Sequence, residues 1–364
     1  MSAETLNFMA QEPDAATPVT TFVQGRGTLL DVRSPAEFAQ GHVPGACNLP
    51  LFSDAERAEV GTTYKQLGRN AAVALGLELI GPRLAQLGAQ LQQHAQACGG
   101  ALRLYCWRGG MRSGSVAWLA RTLDLQVQLL AGGYKSYRRW ALACFEQLWP
   151  LLLLGGRTGS GKTDLLLNLQ QQGAAVIDLE GLAHHRGSSF GGLGQPPQPS
   201  TEQFENRLAW QLLTLQPSSP IWLEAESAQV GRCRIPAAFW RQMQHAPVVE
   251  LQRPAAQRVA RLVRVYGSQG QTALQEATSR ISKRLGPQRT ALSLEAIASG
   301  DMASAAAHML DYYDRCYDHE LAQRRQAPLL QLQAEDHSDE DLARQLWQWQ
   351  QQHDWTGLAP ETCA

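Results

Sequence analysis

Long apolar segments are absent from this sequence of 364 residues. A helix that crosses a membrane needs about 18 or more consecutive apolar residues, and the apolar run at positions 150–154 is followed at once by glycine. The first residues, MSAETLNFMAQEPDAATPV, also lack the basic start and apolar core that are typical of a secretory signal. These absences predict a soluble protein.

Paired cysteines are absent as well. The seven cysteines are an odd number, and no two of them are spaced as CxxC. This pattern disfavours both a disulfide framework and a zinc site. It is typical of reduced thiols, so we predict a cytoplasmic protein.

Neither sign of charge dominates the sequence. The 32 Lys and Arg residues nearly balance the 33 Asp and Glu residues, for a formal net charge of −1. A nucleic acid would therefore have to bind to a local basic patch. Hydrophobic residues make up 44% and charged residues 18% of the chain, which excludes wholesale disorder. The length favours two or three domains, each with its own core.

The order of the predicted elements divides the chain. β-rich segments alternate with helical ones in the first part, where Ser34 and Glu37 have the spacing of a helix-capping box. A second alternation of strands and helices begins at Pro150, and the region after residue 254 has almost wholly helical patterns. Such alternation predicts an α/β fold with parallel sheets. The predicted divisions are residues 1–145, 146–253 and 254–364.

A phosphate-binding motif lies between a predicted strand and a predicted helix. The segment GRTGSGKT matches G-x-x-x-x-G-K-[ST], in which glycines let successive backbone N–H groups point into one hollow. The helix N-terminus and Lys162 add positive charge, and Thr163 can offer its hydroxyl to a magnesium ion. The predicted phosphate-binding residues are Gly156, Arg157, Thr158, Gly159, Ser160, Gly161, Lys162 and Thr163. The loop alone leaves open whether the phosphate belongs to a nucleotide or to another ligand.

Acidic residues follow two further predicted strands. Asp178 follows the strand AAVI, and Glu224 or Glu226 follows PIWL. A carboxylate at such a position can hold a metal ion or orient a nucleophile, and a solvated carboxylate is the competing interpretation. His184 and His185 are weaker candidates for substrate contact, because adjacent histidines on a loop are commonly surface residues.

A reactive cysteine forms the second candidate centre. Cys106 ends a predicted strand and precedes a predicted helix, so its thiol should lie at the carboxyl edge of a sheet, against a helix N-terminus. Loop N–H groups, the helix end and two nearby arginines favour thiolate over thiol. Cys106 is therefore the predicted nucleophile, and a buried structural cysteine is the alternative. The predicted anion-binding residues around it are Arg108, Gly109, Gly110 and Arg112.

The segments DVRSPAEF and GHVPGACNLP, followed by CWRGGMRS, resemble a rhodanese domain, a fold that passes sulfur or selenium through a cysteine. Together with the P-loop, ERAEVGTTYKQLG, GGYKSYRR and DLEGLAHHRGSSFG, they resemble the tRNA 2-selenouridine synthase family. The resemblance covers most of the first 230 residues. It implies an N-terminal rhodanese-like parallel-sheet domain and a P-loop NTPase-like α/β domain with a helical C-terminal part.

The resemblance also implies an activity. Members of the family replace the 2-thio sulfur of the wobble uridine in tRNA with selenium from selenophosphate, and they can geranylate that sulfur from geranyl diphosphate. This implies tRNA as the partner, selenophosphate and geranyl diphosphate as substrates, and no tightly bound cofactor, with magnesium as an optional ion. We assign geranyl diphosphate to the P-loop, because Lys162 and the loop amides can neutralise a departing diphosphate. Selenium is then assigned to Cys106.

A basic helical region offers a surface for tRNA. The residues predicted to contact its phosphates are Arg258, Arg261, Arg264, Lys283 and Arg284. An ordinary solvated helix surface, or the lid arginines of a P-loop kinase, are equally acceptable interpretations. Tyr312, Tyr313 and Tyr317 are candidates for stacking on a base, although aromatics so spaced on a helix more often belong to a core.

Two other functions stay open from the sequence. A P-loop kinase or ATPase fused to a persulfide-carrying sulfurtransferase would hydrolyse nucleotide and would need no isoprenyl diphosphate. A non-catalytic sensor, in which modification of Cys106 alters RNA binding, would show no turnover on thiolated tRNA.

Overall fold

A computed structural model describes residues 16–97, 99–215, 219–322, 327–335, 337–353 and 355. The chain divides into two compact units, one ending at Ala143 and one beginning at Cys144. Each unit is built on a parallel sheet flanked by helices, which confirms the predicted α/β class. In the described part of the chain, no helix is long and apolar enough to cross a membrane.

The first unit contains a four-stranded sheet. Its strands are β1 (Thr28–Asp31), β2 (Cys47–Asn48), β3 (Ala101–Tyr105) and β4 (Gln126–Leu129), in the order β2-β1-β3-β4. All neighbours are parallel, and Leu30 of β1 lies opposite Leu104 of β3. Both leucines are fully buried, so the inner strands form the centre of the hydrophobic core.

Seven α-helices accompany this sheet in the described part of the first unit. They are α1 (Val19–Gln24), α2 (Pro35–Gln40), α3 (Asp54–Leu67), α4 (Arg69–Ile80), α5 (Leu84–Gln96), α6 (Met111–Thr122) and α7 (Gly133–Cys144). The predicted capping box is present at the start of α2, where the side chains of Ser34 and Glu37 bond reciprocally to the backbone. Helix α6 begins five residues after Cys106, at the edge where β3 ends.

A buried ion pair holds the end of β1. Arg33 and Asp31 are 1% and 0% exposed, and Arg33 Nη2 lies 2.5 Å from Asp31 Oδ2. The guanidinium also donates to the carbonyl of Gly41 at 2.6 Å and lies 3.8 Å from the ring centroid of Tyr134. Because an unpaired buried charge is costly, these contacts fix β1, the end of α2 and the start of α7 to one another.

The second unit contains a five-stranded sheet and a short hairpin. The sheet strands are β5 (Leu151–Gly155), β6 (Ala175–Ile177), β7 (Ile221–Glu224), β10 (Val248–Gln252) and β11 (Leu330–Gln333), in the order β11-β10-β5-β7-β6, and β8 (Gln229–Val230) pairs with β9 (Cys233–Arg234). Every residue of β5 is buried, as expected for the central strand of a parallel sheet. The P-loop therefore follows the most enclosed strand of the unit.

Ten α-helices complete this unit among its described residues. They are α8 (Lys162–Gln171), α9 (Leu179–Ala183), α10 (Thr201–Leu215), α11 (Ala237–His245), α12 (Ala255–Tyr266), α13 (Gln271–Arg280), α14 (Ser282–Leu285), α15 (Pro287–Ser299), α16 (Met302–Ala322) and α17 (Asp339–Gln352). The prediction of an almost wholly helical region after residue 254 is confirmed, and β11 is the one strand among the described residues of that region. This strand pairs in parallel with β10, and only Leu332 of its four residues is buried. The period-two alternation of Leu and Gln was the available signal.

The helices after β10 enclose a separate hydrophobic cluster. Its buried members come from α13, α14, α15 and α16, together with Phe190 from the loop after α9. Tyr266, Tyr312 and Tyr313 pack against it. This helical cluster is distinct from the core that β5, β7 and β10 form with α8 and α17.

The start of α7 approaches the cysteine loop very closely. The N–H groups of Tyr134 and Lys135 donate to the carbonyls of Cys106 and Trp107 at 2.8 and 2.9 Å. Gly133 has a φ of +62°, and a Cβ there would collide with the carbonyl of Cys106 and with the backbone of Gly109. Glycine at this position therefore allows GGYKSYRR to dock on the loop that carries the cysteine.

Gly133→Ala should destabilise the first unit more than an alanine at another glycine of positive φ. Gly45 is the matched control, because its φ is +79° and a Cβ there meets nothing within 4 Å. Gly45→Ala should cost about 1–2 kcal/mol from backbone strain alone, and Gly133→Ala a further 1–3 kcal/mol, roughly, from the collision. Urea unfolding of both variants tests this, and equal losses would contradict the close-approach explanation.

Candidate functional site

Cys106 lies where the sequence predicts it. It follows β3 and precedes α6, at the carboxyl edge of the first sheet, and it is only 3% exposed. Ser113, in the first turn of α6, donates its hydroxyl hydrogen to Cys106 Sγ at 3.2 Å. Gly109, with a φ of +65°, turns the chain between the strand and the helix. The helix start and the glycine turn together point hydrogen-bond donors at the sulfur.

The surroundings of Cys106 stabilise its thiolate. Burial by itself would raise the pKa of this thiol, but hydrogen bonds from Ser113 and from the backbone of Arg108, with the charge of Arg112, outweigh burial and lower the pKa below its usual value. Cys144 shows the contrast, because burial without such donors raises its pKa to about 11. The local donors, and not burial, therefore distinguish the thiol of Cys106 from that of Cys144.

The two arginines near Cys106 have different roles. Arg112 Nη1 lies 2.6 Å from Glu37 Oε2, and both side chains are mostly buried. Arg112 is therefore already paired and acts on the sulfur through its charge. Arg108, Gly109 and Gly110 are all exposed. The outer rim of the loop is therefore accessible to an anion. Anion binding by these residues stays a prediction.

The P-loop forms a hollow between β5 and α8. Gly156, Gly159 and Gly161 all have positive φ angles, of +150°, +79° and +92°. A Cβ on Gly156 would lie 2.8 Å from the carbonyl of Leu251, so the motif glycines are required by the backbone path. Lys162 donates to the carbonyl of Gly156 at 3.0 Å, which places its charge over the loop.

The hollow opens into a cavity of about 420 Å³. Six of the eight motif residues line it, and the loop residues Arg186, Gly187 and Ser188 line it as well. The acidic lining residues are Asp164, Glu180 and Glu226. Four phosphate-binding features therefore meet in one space: a glycine loop, a lysine, a helix N-terminus and a neighbouring arginine.

Arginines outside the motif hold the P-loop from behind. Arg253 Nε donates to the carbonyl of Ser160 at 2.8 Å, and Arg258 donates to the carbonyl of Thr158 at 3.2 Å. Arg157, inside the motif, forms an ion pair with Asp318 at 2.9 Å. The bonds from Arg253 and Arg258 therefore hold two carbonyls of the loop in place.

Two of the five arginines and lysines predicted to contact tRNA already form ion pairs within the fold. Arg258 is 3% exposed and pairs with Asp314 at 2.7 Å. Arg261 pairs with Asp164 and, at 2.8 Å, with Asp339. The structure contradicts a tRNA contact by Arg258, because its charge is buried and paired, whereas the contact predicted for Arg261, which lines the P-loop cavity, stays a prediction. The remaining three are exposed, namely Arg264, Lys283 and Arg284.

Of the acidic residues predicted at the strand ends, Glu226 lines the cavity, whereas Asp178 and Glu224 do not. Asp178 caps α9 by accepting from Gly181 N at 2.7 Å. Glu224 is fully buried and accepts from Leu179 N at 3.3 Å, while its Oε1 has no partner. Glu180, two residues after Asp178, faces the cavity instead and accepts a hydrogen bond from Thr163 at 2.8 Å. The sequence analysis missed Glu180, although the segment DLEG was the available signal.

Glu180 holds its proton more tightly than an ordinary glutamic acid. Burial is the largest cause, the charge of Glu226 adds to it, and Lys162 and Thr163 oppose it; together they raise the pKa of Glu180 to about 8. Near neutral pH the carboxyl is therefore largely uncharged. An anionic ligand in the cavity then meets the charge of Lys162 without a carboxylate on Glu180 to compete with it.

Magnesium at this site would depend on the ligand for part of its coordination. The described residues contain no group of three His, Cys, Asp or Glu side chains arranged to hold a metal ion. Thr163 and Glu180 offer two neighbouring oxygens, and phosphate oxygens can supply more, as is common for magnesium. The residues fit an ion that arrives with a phosphorylated substrate.

The histidines and tyrosines fall on different sides of the cavity. His184 hydrogen-bonds to Pro197 O at 3.0 Å and to Arg207 at 3.1 Å, and neither it nor His185 is among the cavity-lining residues. Tyr313 and Tyr317 do line the cavity. Base stacking by these tyrosines and by Tyr312 stays a prediction.

A parallel-sheet unit with an activated cysteine, followed by a P-loop unit, defines a rhodanese-like sulfur- or selenium-handling domain joined to a phosphate-binding domain. Residues 20–139 match the family model of the rhodanese-like domain, and residues 149–346 match that of the tRNA 2-selenouridine synthase AAA domain. The chain belongs to the tRNA 2-selenouridine synthase family.

Relatives of this name cover most of the chain. The tRNA 2-selenouridine synthase of Bordetella bronchiseptica is 39% identical over 83% of this chain and 89% of its own length. That of Cronobacter sakazakii is 42% identical over 73% of this chain and 71% of its own. That of Marinobacter nauticus is 35% identical over 87% and 94%. The family assignment therefore includes both units.

Ser113→Ala should raise the pKa of Cys106, because it removes a donor to the thiolate while burial remains. Alkylation of Cys106 by iodoacetamide, followed across pH by mass spectrometry of its peptide, should have a midpoint at higher pH in the variant. Ser115→Ala is the control, since its exposed hydroxyl bonds to Met111 O. An unchanged midpoint in Ser113→Ala would show that this hydroxyl does not tune the sulfur.

Inorganic diphosphate should bind to the P-loop cavity more weakly as the pH rises through about 8, where Glu180 becomes charged. Glu180→Gln keeps the shape of the side chain but cannot become charged. The affinity of this variant for diphosphate should therefore decline about tenfold less over that pH range than the affinity of the wild type. Calorimetric titrations one pH unit below and above this pKa measure the difference, with exposed Glu276→Gln as the control. Identical pH dependence in wild type and Glu180→Gln would remove Glu180 from the site.

Proposed function

We propose that this protein converts 2-thiouridine at the wobble position of tRNA to 2-selenouridine, with selenophosphate as the selenium donor, in the cytoplasm. The relatives named above support the reaction class. The observation that carries the proposal is the thiol of Cys106, whose pKa is lowered by the donors around it. A thiolate is the nucleophilic form of cysteine, and the same anion can depart again as a leaving group.

We further propose that the reaction passes through a geranylated intermediate. The C2 sulfur of the uridine attacks C1 of geranyl diphosphate, a C–S bond forms, and the C–O bond breaks as diphosphate leaves. The selenium atom of selenophosphate, already at the oxidation level of selenide, then attacks C2, the C2–S bond breaks as geranyl thiolate departs, and water cleaves the P–Se bond to release phosphate. Both steps are redox-neutral, and alkylation is what turns the sulfur into a leaving group.

The P-loop is the proposed site of the first step. A departing diphosphate gains negative charge as the C–O bond breaks, and preorganised donors stabilise that charge. Lys162, the start of α8 and the loop amides supply such donors, and a magnesium ion at Thr163 would add to them. The neutral form of Glu180 favours the same anion.

tRNA binding is proposed for the exposed basic residues of the helical part. Arg264 lies in the last turn of α12, and Lys283 and Arg284 lie on α14. Exposed cations on neighbouring helices suit phosphate contacts, which weaken steeply with salt. Arg258 and Arg261 support this region through their ion pairs.

Single substitutions should affect selenation and geranylation differently. Cys106→Ala should abolish selenation and spare geranylation, whereas Lys162→Ala should slow geranylation by about 10²–10³-fold, because it removes a donor to the leaving group. The assay supplies 2-thiouridine tRNA with geranyl diphosphate and selenophosphate, separately and together, and identifies the nucleosides by mass.

Cys47→Ala is the control for the cysteine variant, since Cys47 is an exposed free cysteine. Equal loss of both activities in Cys106→Ala would contradict the division of labour. Nucleotide hydrolysis that needs no isoprenyl diphosphate would instead favour the P-loop ATPase, and an absence of turnover on thiolated tRNA would favour the sensor.

A further inference from the structure

A second pocket adjoins the P-loop cavity, and its lining is almost wholly apolar. It has a volume of about 60 Å³ and lies between helices α12, α13, α15 and α16. Phe190, Leu274 and Ile297 line it, and all three are at least 94% buried. Such a pocket offers dispersion contacts and almost no hydrogen-bond partners.

The apolar pocket and the phosphate cavity share one wall. Leu262, Tyr266 and Tyr313 line both, as do Thr158 of the P-loop and Ser188 of the facing loop. A ligand whose anionic end lies on the P-loop can therefore extend along this wall into the helical cluster. The shared residues place a space with a charged lining directly beside a space with an apolar lining.

The chemistry of the apolar pocket selects among ligands of the P-loop. The base of a nucleotide carries polar edges, and enclosing them without partners is costly. A hydrocarbon chain has no such groups, and each methylene that it buries adds about fourfold in affinity. The lining thus favours a diphosphate with a hydrocarbon chain over a nucleotide.

We propose that the apolar pocket binds the distal end of the hydrocarbon chain of a prenyl diphosphate and sets the length of chain accepted. This inference rests on the proposed function, which places the diphosphate on the P-loop. The pocket is small, so the first carbons of the chain lie along Leu262 and Tyr266 and only the far end enters it. Ala305 and Ala306 of α16 line the pocket, and their small size leaves that space open.

The test fills the pocket from α16. Ala306→Phe should weaken binding of geranyl diphosphate at least tenfold in a calorimetric titration, while the affinity for inorganic diphosphate stays within twofold. Ala307→Phe makes the same change at the next residue, on the exposed face of α16, and should alter neither affinity. Unchanged binding of geranyl diphosphate in Ala306→Phe, or an equal loss for both ligands, would overturn the pocket assignment.

A second variant enlarges the pocket and does not depend on accommodating a larger side chain. Met309→Ala removes a lining side chain, so the affinity for the fifteen-carbon farnesyl diphosphate should rise relative to that for geranyl diphosphate. An unchanged ratio would overturn the role of the pocket in chain length.

Lys162→Ala distinguishes this inference from the function on which it rests. If Lys162→Ala weakens both diphosphates but the pocket variants change nothing, only the pocket assignment fails. If Lys162→Ala leaves both diphosphates bound as before, the P-loop is not their site, and the proposed function and the inference are overturned together.

Discussion

Both candidate sites depend on one geometric constraint, the way in which a parallel strand passes into a helix at the carboxyl edge of a sheet. β3 leads to α6 through Cys106, and β5 leads to α8 through the P-loop. At each junction the first turn of a helix leaves backbone N–H groups without partners inside the helix. The first junction directs such donors at a sulfur and the second directs them at a phosphate-sized hollow.

The two junctions are kept in shape by charges that never reach a ligand. Arg33 and Asp31 pair beneath the cysteine loop, and Arg253 and Arg258 brace the carbonyls of the P-loop. Breaking such a pair would leave a buried charge uncompensated. The basic residues after β10 consequently divide into internal braces and exposed cations, a division that the spacing of arginines along a helix does not reveal.

The electrostatics of the two sites suit opposite demands. Around Cys106, the hydrogen-bond donors outweigh the effect of burial on the pKa and stabilise the thiolate, an anion that belongs to the protein. In the P-loop cavity, burial and Glu226 keep the carboxyl of Glu180 protonated, which favours an anion brought by the ligand. The apolar wall formed by Leu262 and Tyr266 then favours a phosphate that carries a hydrocarbon chain over one that carries a nucleoside.

The sequence by itself determined the α/β class, the strands around both junctions, the P-loop and Cys106, because each depends on local patterns of glycine, apolar and charged residues. Only the tertiary structure decided those features that depend on contacts between residues far apart in the sequence. β11 is a strand because β10 pairs with it, Arg258 is internal because Asp314 on another helix reaches it, and Glu180 faces Thr163 only once α9 packs beside α8. The apolar pocket likewise joins Phe190 to Ile297 across more than a hundred residues of sequence, and no local pattern encodes such a meeting.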